Sequence, residues 1–534
     1  MILPYSSNTS VFKCSSSSQK RIIPTLLRLF ICCFLLEICK ATFAFQNYDL
    51  TSTSLEAKKS GLTITGTTSD YLGYCVSAAG DINNDGYADI IVGAYKIDTA
   101  YVIYGGPTSS LTDFDFSTDT LDPLTTGFMI KGEASGDGFG YTVATAGDFN
   151  NDGYDDIIIG AQMKDSSRGA AYVIYGGEKA DLLDLDLSIT MLNPATTGFT
   201  MYGESQGDTF GYAVNSAGDV DKDGYDDIII GGFGKGTNKG VAYVVYGGQK
   251  GDFQGIDLSN DALNPLTTGF RVLGNASPDQ FGYSASTAGD INGDGYADIL
   301  IAGYRKDTFR GMAYVIYGGE KADLPDLDLG TDTLYPASTG FWIKGNAQYD
   351  YFGRIANPAG DMNKDGFADI IIGAYRKNTY QGIAYVVYGN TKANLQHIDL
   401  SAGNLDPAST GFTIKGSATN TGFGVSAGTA GDINQDGYPD LIIGDYYPGS
   451  TYGAAYVIYG GASLQDIDLS VSTLNPATTG FTVTRTGIQN YLGYSVSTAG
   501  DINGDGFDDI IIGAYGGDTY IGAAYVIHNG RRGF

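Results

Sequence analysis

The 534-residue chain has few cysteines. Four of its five lie within the first 44 residues, so Cys75 is the one cysteine of residues 45–534. A single cysteine cannot form an intramolecular disulfide, and exported proteins without disulfides need another source of stability. The sequence therefore excludes a disulfide-stapled fold for this region.

Glutamate and histidine are also scarce. Only six of the 60 acidic residues are glutamate, and the two histidines are His397 and His528. The abundant residues are aspartate, glycine and tyrosine, which favour turns and strands over helices, so the composition predicts an all-β fold. The chain also has no zinc-ligand spacing. We therefore predict that it is not an enzyme.

Long apolar runs are missing except near the N-terminus. Basic residues there precede an apolar run at 29–36 and small residues at 42–44, which is the pattern of a secretory signal peptide. We expect residues 1–44 to be a signal peptide, with a signal anchor as the alternative, and 45–534 to be one secreted or cell-surface domain that does not insert into the membrane. Residues 1–44 hold five basic residues and one acidic residue, so their removal changes the net charge from −29 to about −33. A field of that sign disfavours nucleic acid as a partner.

One acidic motif recurs seven times, at intervals of 67 to 71 residues. Around each copy lie four short β runs bounded by glycine, which is the content of one propeller blade. The last copy reaches only its third run, and Gly61–Gly66 has the pattern of a fourth. The sequence predicts a seven-bladed β-propeller with four strands per blade, closed by Gly61–Gly66 in the last blade.

The motif reads Asp-x-Asn/Asp-x-Asp-Gly-x-x-Asp. Side chains at positions 1, 3, 5 and 9 and the carbonyl of position 7 can converge on one hard cation, and glycine at position 6 permits the sharp turn. Oxygen ligands in this number favour calcium, whereas the Val or Ile at position 12 excludes an EF-hand. A metal-free Asx turn is the alternative. We predict up to seven calcium ions, held by Asp81, Asn83, Asp85, Asp89, Asp148, Asn150, Asp152, Asp156, Asp219, Asp221, Asp223, Asp227, Asp290, Asn292, Asp294, Asp298, Asp361, Asn363, Asp365, Asp369, Asp432, Asn434, Asp436, Asp440, Asp501, Asn503, Asp505 and Asp509.

These repeats resemble the FG-GAP repeats of the integrin alpha-chain propeller. The Phe-Gly pair stands in five copies, as at Phe139-Gly140, and is Leu-Gly in the two outer copies, while the second half keeps Gly-Ala in four copies and its proline in none. The resemblance covers about residues 48 to 534. It implies a propeller that binds calcium on one face and a protein ligand on the other, so we expect an adhesion or ligand-binding module like an isolated integrin head.

Basic and aromatic residues cluster in the loops between the second and third strands. Alternating strand direction places these loops on the face opposite the acidic motif, and arginine and tyrosine are frequent in binding hot spots. Solvated turns are the alternative. We predict that an extracellular protein or glycan binds through Tyr304, Arg305, Lys306, Arg310, Tyr375, Arg376, Lys377, Tyr446 and Tyr447.

Two other functions remain open at this point. One is an accessory or catalytic domain of a calcium-dependent extracellular hydrolase or polysaccharide lyase, and the other is a calcium-assembled structural coat.

Asn275-Ala-Ser277 is the one glycosylation sequon in residues 45–534, and it predicts a glycoprotein.

Overall fold

A computed structural model describes residues 46–50, 55, 60–446, 453–485, 490–516 and 521–528. All of them belong to the unit Phe45–Phe534. The predicted signal peptide and Tyr447 lie outside the described residues.

The described strands form seven sheets, which confirms the predicted seven-bladed propeller. Blades and their acidic loops are numbered 1 to 7 in the order of the acidic motifs. The first strands are Val76–Gly80, Phe139–Gly147, Ala213–Gly218, Ser284–Gly289, Phe352–Gly360, Phe423–Gly431 and Ser495–Gly500. The second strands are Asp89–Ala94, Asp156–Ala161, Asp227–Gly232, Asp298–Gly303, Asp369–Ala374, Asp440–Asp445 and Asp509–Ala514.

The outer strands continue each sheet with antiparallel pairing. The third strands are Thr99–Ile103, Ala170–Ile174, Val241–Val245, Met312–Ile316, Ile383–Val387, Gly453–Ile458 and Ile521–Ile527. The fourth strands of blades 1 to 6 are Gly127–Lys131, Gly198–Tyr202, Gly269–Leu273, Gly340–Lys344, Gly411–Lys415 and Gly480–Arg485. In blade 7 the fourth position is taken by Gly61–Thr68, where Gly61 lies opposite Ile527.

Each blade also has a fifth strand of two residues, which the prediction of four strands per blade missed. In blade 1 this strand is Leu185–Asp186, and it pairs in parallel with Gly127–Lys131 although it belongs to the long connection inside blade 2. The fifth strands of blades 2 to 7 are Ile256–Asp257, Leu327–Asp328, Ile398–Asp399, Ile467–Asp468, Tyr48–Asp49 and Phe114–Asp115. Every blade is thus bonded through its outer edge to chain from the next blade.

The apolar core lies between adjacent blades. Successive residues of a strand point to opposite faces, so Ile157 and Ile159 pack against blade 1 whereas Ile158 packs against blade 3. Phe139 of the Phe-Gly pair is fully buried in the same interface as Ile157. Sheets covered on both faces explain why the second strands are apolar without interruption.

Within the described residues, helical structure is confined to short turns. Four of them open the loops between the second and third strands of blades 2 to 5: Lys164–Ser167, Lys235–Asn238, Lys306–Phe309 and Lys377–Tyr380. Two further turns, Tyr95–Ile97 and Lys321–Asp323, are 3-10 helices. Across the described ranges, no helix is long and apolar enough to cross a membrane.

Candidate metal sites and the opposite face

Each acidic loop connects the first strand of its blade to the second, and position 1 folds it. In loop 1 the Asp81 carboxylate accepts hydrogen bonds from the backbone N–H groups of Asp85 (3.0 Å) and Gly86 (2.8 Å). The same two bonds recur in all seven loops. The position-6 glycines all have φ between 87° and 93°, the left-handed region that disfavours other residues.

The position-9 aspartates are fully buried at the start of the second strand. One Asp89 oxygen accepts from the Gly105 N–H (2.8 Å) and the other from the Ile82 N–H (3.0 Å). Burial, with added repulsion from the other loop carboxylates, raises the pKa of Asp369 and of Asp440 to about 8. A cation beside such a carboxylate would favour its ionised form.

Position 3 provides a buried acceptor that has no donor. In loops 1, 2, 4 and 7 the side-chain Nδ2 of this asparagine donates to the position-9 carboxylate, as Asn83 does to Asp89 at 2.9 Å. Its Oδ1 atom is buried and has no hydrogen-bond partner within the described part of the chain. The four residues Asn83, Asn150, Asn292 and Asn503 are only 4–7% exposed. A bound cation would satisfy this oxygen, so the residues present fit calcium.

The other three loops arrange position 3 differently. In loop 3, single carboxylate oxygens of Asp219, Asp221 and Asp227 lie within 4.8 Å of one another, a spacing that suits one metal ion. In loops 5 and 6 the position-3 oxygen accepts a backbone N–H of its own loop, at 2.9 Å from Asp365 to Asn363 and 2.8 Å from Asp436 to Asn434. These two loops share the residues of loop 7 but not its buried free oxygen.

Most acidic loops are bonded to the preceding loop of the ring. In loops 1 to 5 the position-8 N–H donates to the position-1 carbonyl of the preceding loop, as Asp155 does to Asp81 at 3.3 Å. Position 8 of loop 6 is Pro439, which has no N–H. Where position 8 is aspartate, its carboxylate also accepts a hydrogen bond from the position-1 N–H of the preceding loop, as Asp155 Oδ2 does from the Asp81 N–H at 2.7 Å. Because of these bonds, ordering of one loop supports its neighbours.

The predicted basic face lies at the opposite ends of the strands, and three of its cations are ion-paired there. Lys306 Nζ is 2.7 Å from Asp279, and Lys377 Nζ is 2.8 Å from Asp350. Both aspartates lie in the connection that enters the first strand of the same blade. Arg310 is paired with Asp307 at 3.4 Å. These three side chains hold the loops in shape.

Two arginines of this face lie over aromatic rings instead. The Arg376 guanidinium is 4.2 Å from the Tyr351 ring centroid and 4.6 Å from that of Tyr380. The Arg305 guanidinium is 5.1 Å from the Phe309 centroid. Neither Nε atom has an acceptor among the residues described. Both Nε atoms are buried, and neither guanidinium group forms an ion pair within the described part of the chain.

The predicted tyrosines belong to one aromatic network. Tyr304 stacks on Tyr351 at 5.1 Å, and Tyr351 meets Tyr375 edge-on at 5.6 Å. Tyr446 contacts Tyr494 at 4.9 Å between ring centroids. The structure thus brings the blade 4 and blade 5 residues together, whereas Tyr446 lies against another part of the network.

Sequence analysis missed the centre of this face. The third residue of the Phe-Gly or Leu-Gly motif is tyrosine in five blades, and these rings line a central cavity of about 390 Å³. In blade 5 the same position is Arg354, whose guanidinium lies 5.3 Å from the Tyr283 centroid and 5.6 Å from that of Tyr375. No carboxylate of the described residues forms an ion pair with it. The position is Val425 in blade 6, and comparing it across the seven copies would have shown both exceptions.

Comparison with known proteins identifies the repeats. The FG-GAP repeat model matches residues 76–101, 139–174, 281–316, 352–387, 423–458 and 492–527. The chain is 30% identical to integrin alpha-5 of Xenopus laevis over 281 residues, which are 52% of this chain and 24% of the relative. It is 30% identical to integrin alpha pat-2 of Caenorhabditis elegans over 251 residues (44% and 18%), and 35% identical to integrin alpha-8 of Gallus gallus over 179 residues (32% and 16%).

These matches cover a quarter or less of the length of each relative. All three relatives are named as integrin alpha subunits, in agreement with the prediction that the chain is not an enzyme.

Proposed function

The chain belongs to the FG-GAP repeat β-propellers that resemble integrin alpha subunits, and from that premise we propose that it is an extracellular, calcium-stabilised adhesion module. It binds an anionic protein or glycan through the face opposite the acidic loops. The observation that carries this proposal is the division between its two faces. One face repeats the same acidic loop seven times, and the other places unpaired guanidinium groups among aromatic rings.

Calcium binding is supported by the chemistry of the loops. The buried Asn83 oxygen lacks a donor, and leaving such an atom unsatisfied costs about 1–3 kcal/mol. If each loop bound calcium with a Kd of about 10⁻⁴ M, millimolar calcium would contribute roughly 1.4 kcal/mol per loop. Calcium can thus provide the stability that disulfides give to other exported proteins.

Ligand binding is supported by charge and by side-chain type. The whole chain carries a net charge of −29, so a face that presents Arg305, Arg354 and Arg376 is an exception to its general field. Guanidinium groups bind carboxylates and sulfates with paired hydrogen bonds, and aromatic rings add contact area at small entropic cost. The partner we propose presents such anionic groups.

Secretion and glycosylation complete the proposal. Residues 1–44 carry the signal peptide pattern, and Asn275 is exposed in the loop that enters blade 4. Its Nδ2 atom donates to the Leu329 carbonyl at 3.0 Å, and a glycosylated amide would retain one N–H.

The binding experiment compares the two faces directly. The secreted protein is applied to an array of sulfated and carboxylated glycans and to immobilised acidic extracellular proteins, each in millimolar calcium. We expect the double variant Arg305→Ala, Arg376→Ala to lose at least tenfold in affinity for the partner found. The matched control, Lys222→Ala with Lys364→Ala, removes the same charge from the acidic-loop face and should bind normally. Equal binding by both variants would rule out the proposed face.

A further inference from the structure

Four lysines enter acidic loops that belong to the preceding blade. Each lies in the connection after the third strand of its own blade and contacts the position-5 carboxylate. Lys179 is 2.7 Å from Asp85, Lys321 is 2.7 Å from Asp223, and Lys392 is 2.6 Å from Asp294. Lys250 contacts Asp152 in the same way, and Lys321 also lies 3.1 Å from Asp221. Loops 1 to 4 therefore each contain an ammonium group.

A tyrosine ring holds each of these ammonium groups in place. The nitrogen atoms lie 4.7–5.2 Å from the centroids of the tyrosines that follow the third strands of blades 1 to 4. These rings are Tyr104, Tyr175, Tyr246 and Tyr317. Because the same ring and carboxylate enclose the lysine four times, the arrangement is a built part of the blade interface and not a chance surface pair.

Loops 5 and 7 lack this lysine. The equivalent position is Ser463 beside loop 5 and Thr108 beside loop 7. No cation of the described residues forms an ion pair with Asp365 or Asp505. Loop 7 is the matched comparison for loops 1, 2 and 4, because Asn503 has the same buried oxygen as their asparagines. The residue that would face loop 6 lies outside the described part of the chain.

We propose that these lysines divide the acidic loops into two classes of calcium site. In loops 1 to 4 the lysine from the next blade offsets one negative charge, so these loops bind calcium weakly, whereas loops 5 and 7 bind it tightly and depend on it for order. This inference rests on the proposed calcium binding of the loops. A calcium ion that uses the position-5 carboxylate must share it with the ammonium group or displace it, and the two cations repel. We expect this to weaken each of the four sites about tenfold.

The test is a calorimetric titration of the full metal-free protein with calcium. The wild type should show a tight class that includes loops 5 and 7 and a weaker class of four sites. The variant with Lys179, Lys250, Lys321 and Lys392 all changed to Met keeps the apolar stems over the tyrosines but removes the charge. Its weak class should tighten about tenfold and merge with the other. The control Lys131→Met with Lys415→Met removes two ion-paired lysines that lie outside the acidic loops and should keep both classes.

A reverse substitution covers the case in which the fourfold variant does not fold. Thr108→Lys places a lysine beside loop 7 and should move one tight site into the weak class. One class of sites in the wild type, or affinities unchanged in these lysine variants, would overturn the two-class inference while leaving calcium binding intact. No calcium uptake by the wild type would instead overturn the proposed function.

Discussion

The two faces of the propeller differ in how faithfully they repeat. On the acidic face, all seven loops have the same two bonds to position 1 and a glycine with φ between 87° and 93°. On the opposite face, the turn that follows the second strand ends in Ser167, Asn238, Phe309 or Tyr380 in blades 2 to 5. The repeated acidic loops are features that every blade needs to stay in the ring. The variable turns of the opposite face are places where one blade can acquire a contact that the others lack.

The largest effect expected from this comparison is that of removing calcium. If seven loops each contribute roughly 1.4 kcal/mol, chelation should lower the melting temperature by on the order of 10 °C. Differential scanning calorimetry in millimolar calcium and in chelator with excess magnesium would measure it. An unchanged melting temperature would show that calcium in the acidic loops does not stabilise the fold.

Asp445 lies on the side opposite the acidic loops and should give the folding stability a pH dependence of its own. Burial raises the pKa of Asp445, at the end of the second strand of blade 6, to about 7. Because this folded-state pKa exceeds the unfolded value of about 3.9, the contribution to stability is full below pH 3.9 and is lost as the pH rises through 7.

Asp445→Asn should therefore stabilise the protein at pH 8, by up to about 4 kcal/mol, and have little effect at pH 4. Thermal unfolding of both proteins at constant calcium measures the difference. A variant that is equally stabilised at both pH values would show that the buried charge is not the cause.

Two glycines with the same backbone conformation sharpen the comparison of the faces. Gly86 in loop 1 has φ 87° and Gly136, in the connection on the other face, has φ 89°; an added Cβ would meet nothing within 4 Å at either. Alanine at either site should cost about 1–2 kcal/mol, because left-handed backbone disfavours a side chain. Only Gly86→Ala should also weaken calcium binding, measured by titration. If the two variants bound calcium with equal affinity, the conformation of the Gly86 turn would not be required for metal binding.

The smallest expected effect on stability is that of the arginines over the aromatic rings. Arg305→Ala with Arg376→Ala removes no ion pair between described residues, so we expect the melting temperature to change by less than about 2 °C. Calorimetry beside the binding assay measures both consequences. A large loss of stability would mean that these side chains hold the loops together, as Lys306 and Lys377 do.

The repeats predicted the fold because each copy carries the same strand and turn signals. The fifth strands escaped prediction because two residues such as Leu185–Asp186 give no periodic pattern, and their partner strand lies in the preceding blade. The pairing of Lys306 with Asp279 was missed because these residues are 27 positions apart and meet only after two connections converge on one face.

The sites divide in the same way. The residues that form each acidic loop could be read from the sequence, since all four positions lie within nine residues. The contact of Lys179 with Asp85 spans 94 residues, and no local pattern indicates it. Arg354 escaped notice because a single residue that breaks a repeat is visible only when the copies are aligned.

Anomalous X-ray diffraction from crystals grown in millimolar calcium tests the central claim most directly, because it locates each ion. We predict ions in the acidic loops, about 2.3–2.6 Å from carboxylate oxygens and from the buried oxygens of Asn83, Asn150, Asn292 and Asn503, and none on the opposite face. Acidic loops without an anomalous peak at that concentration would contradict the account.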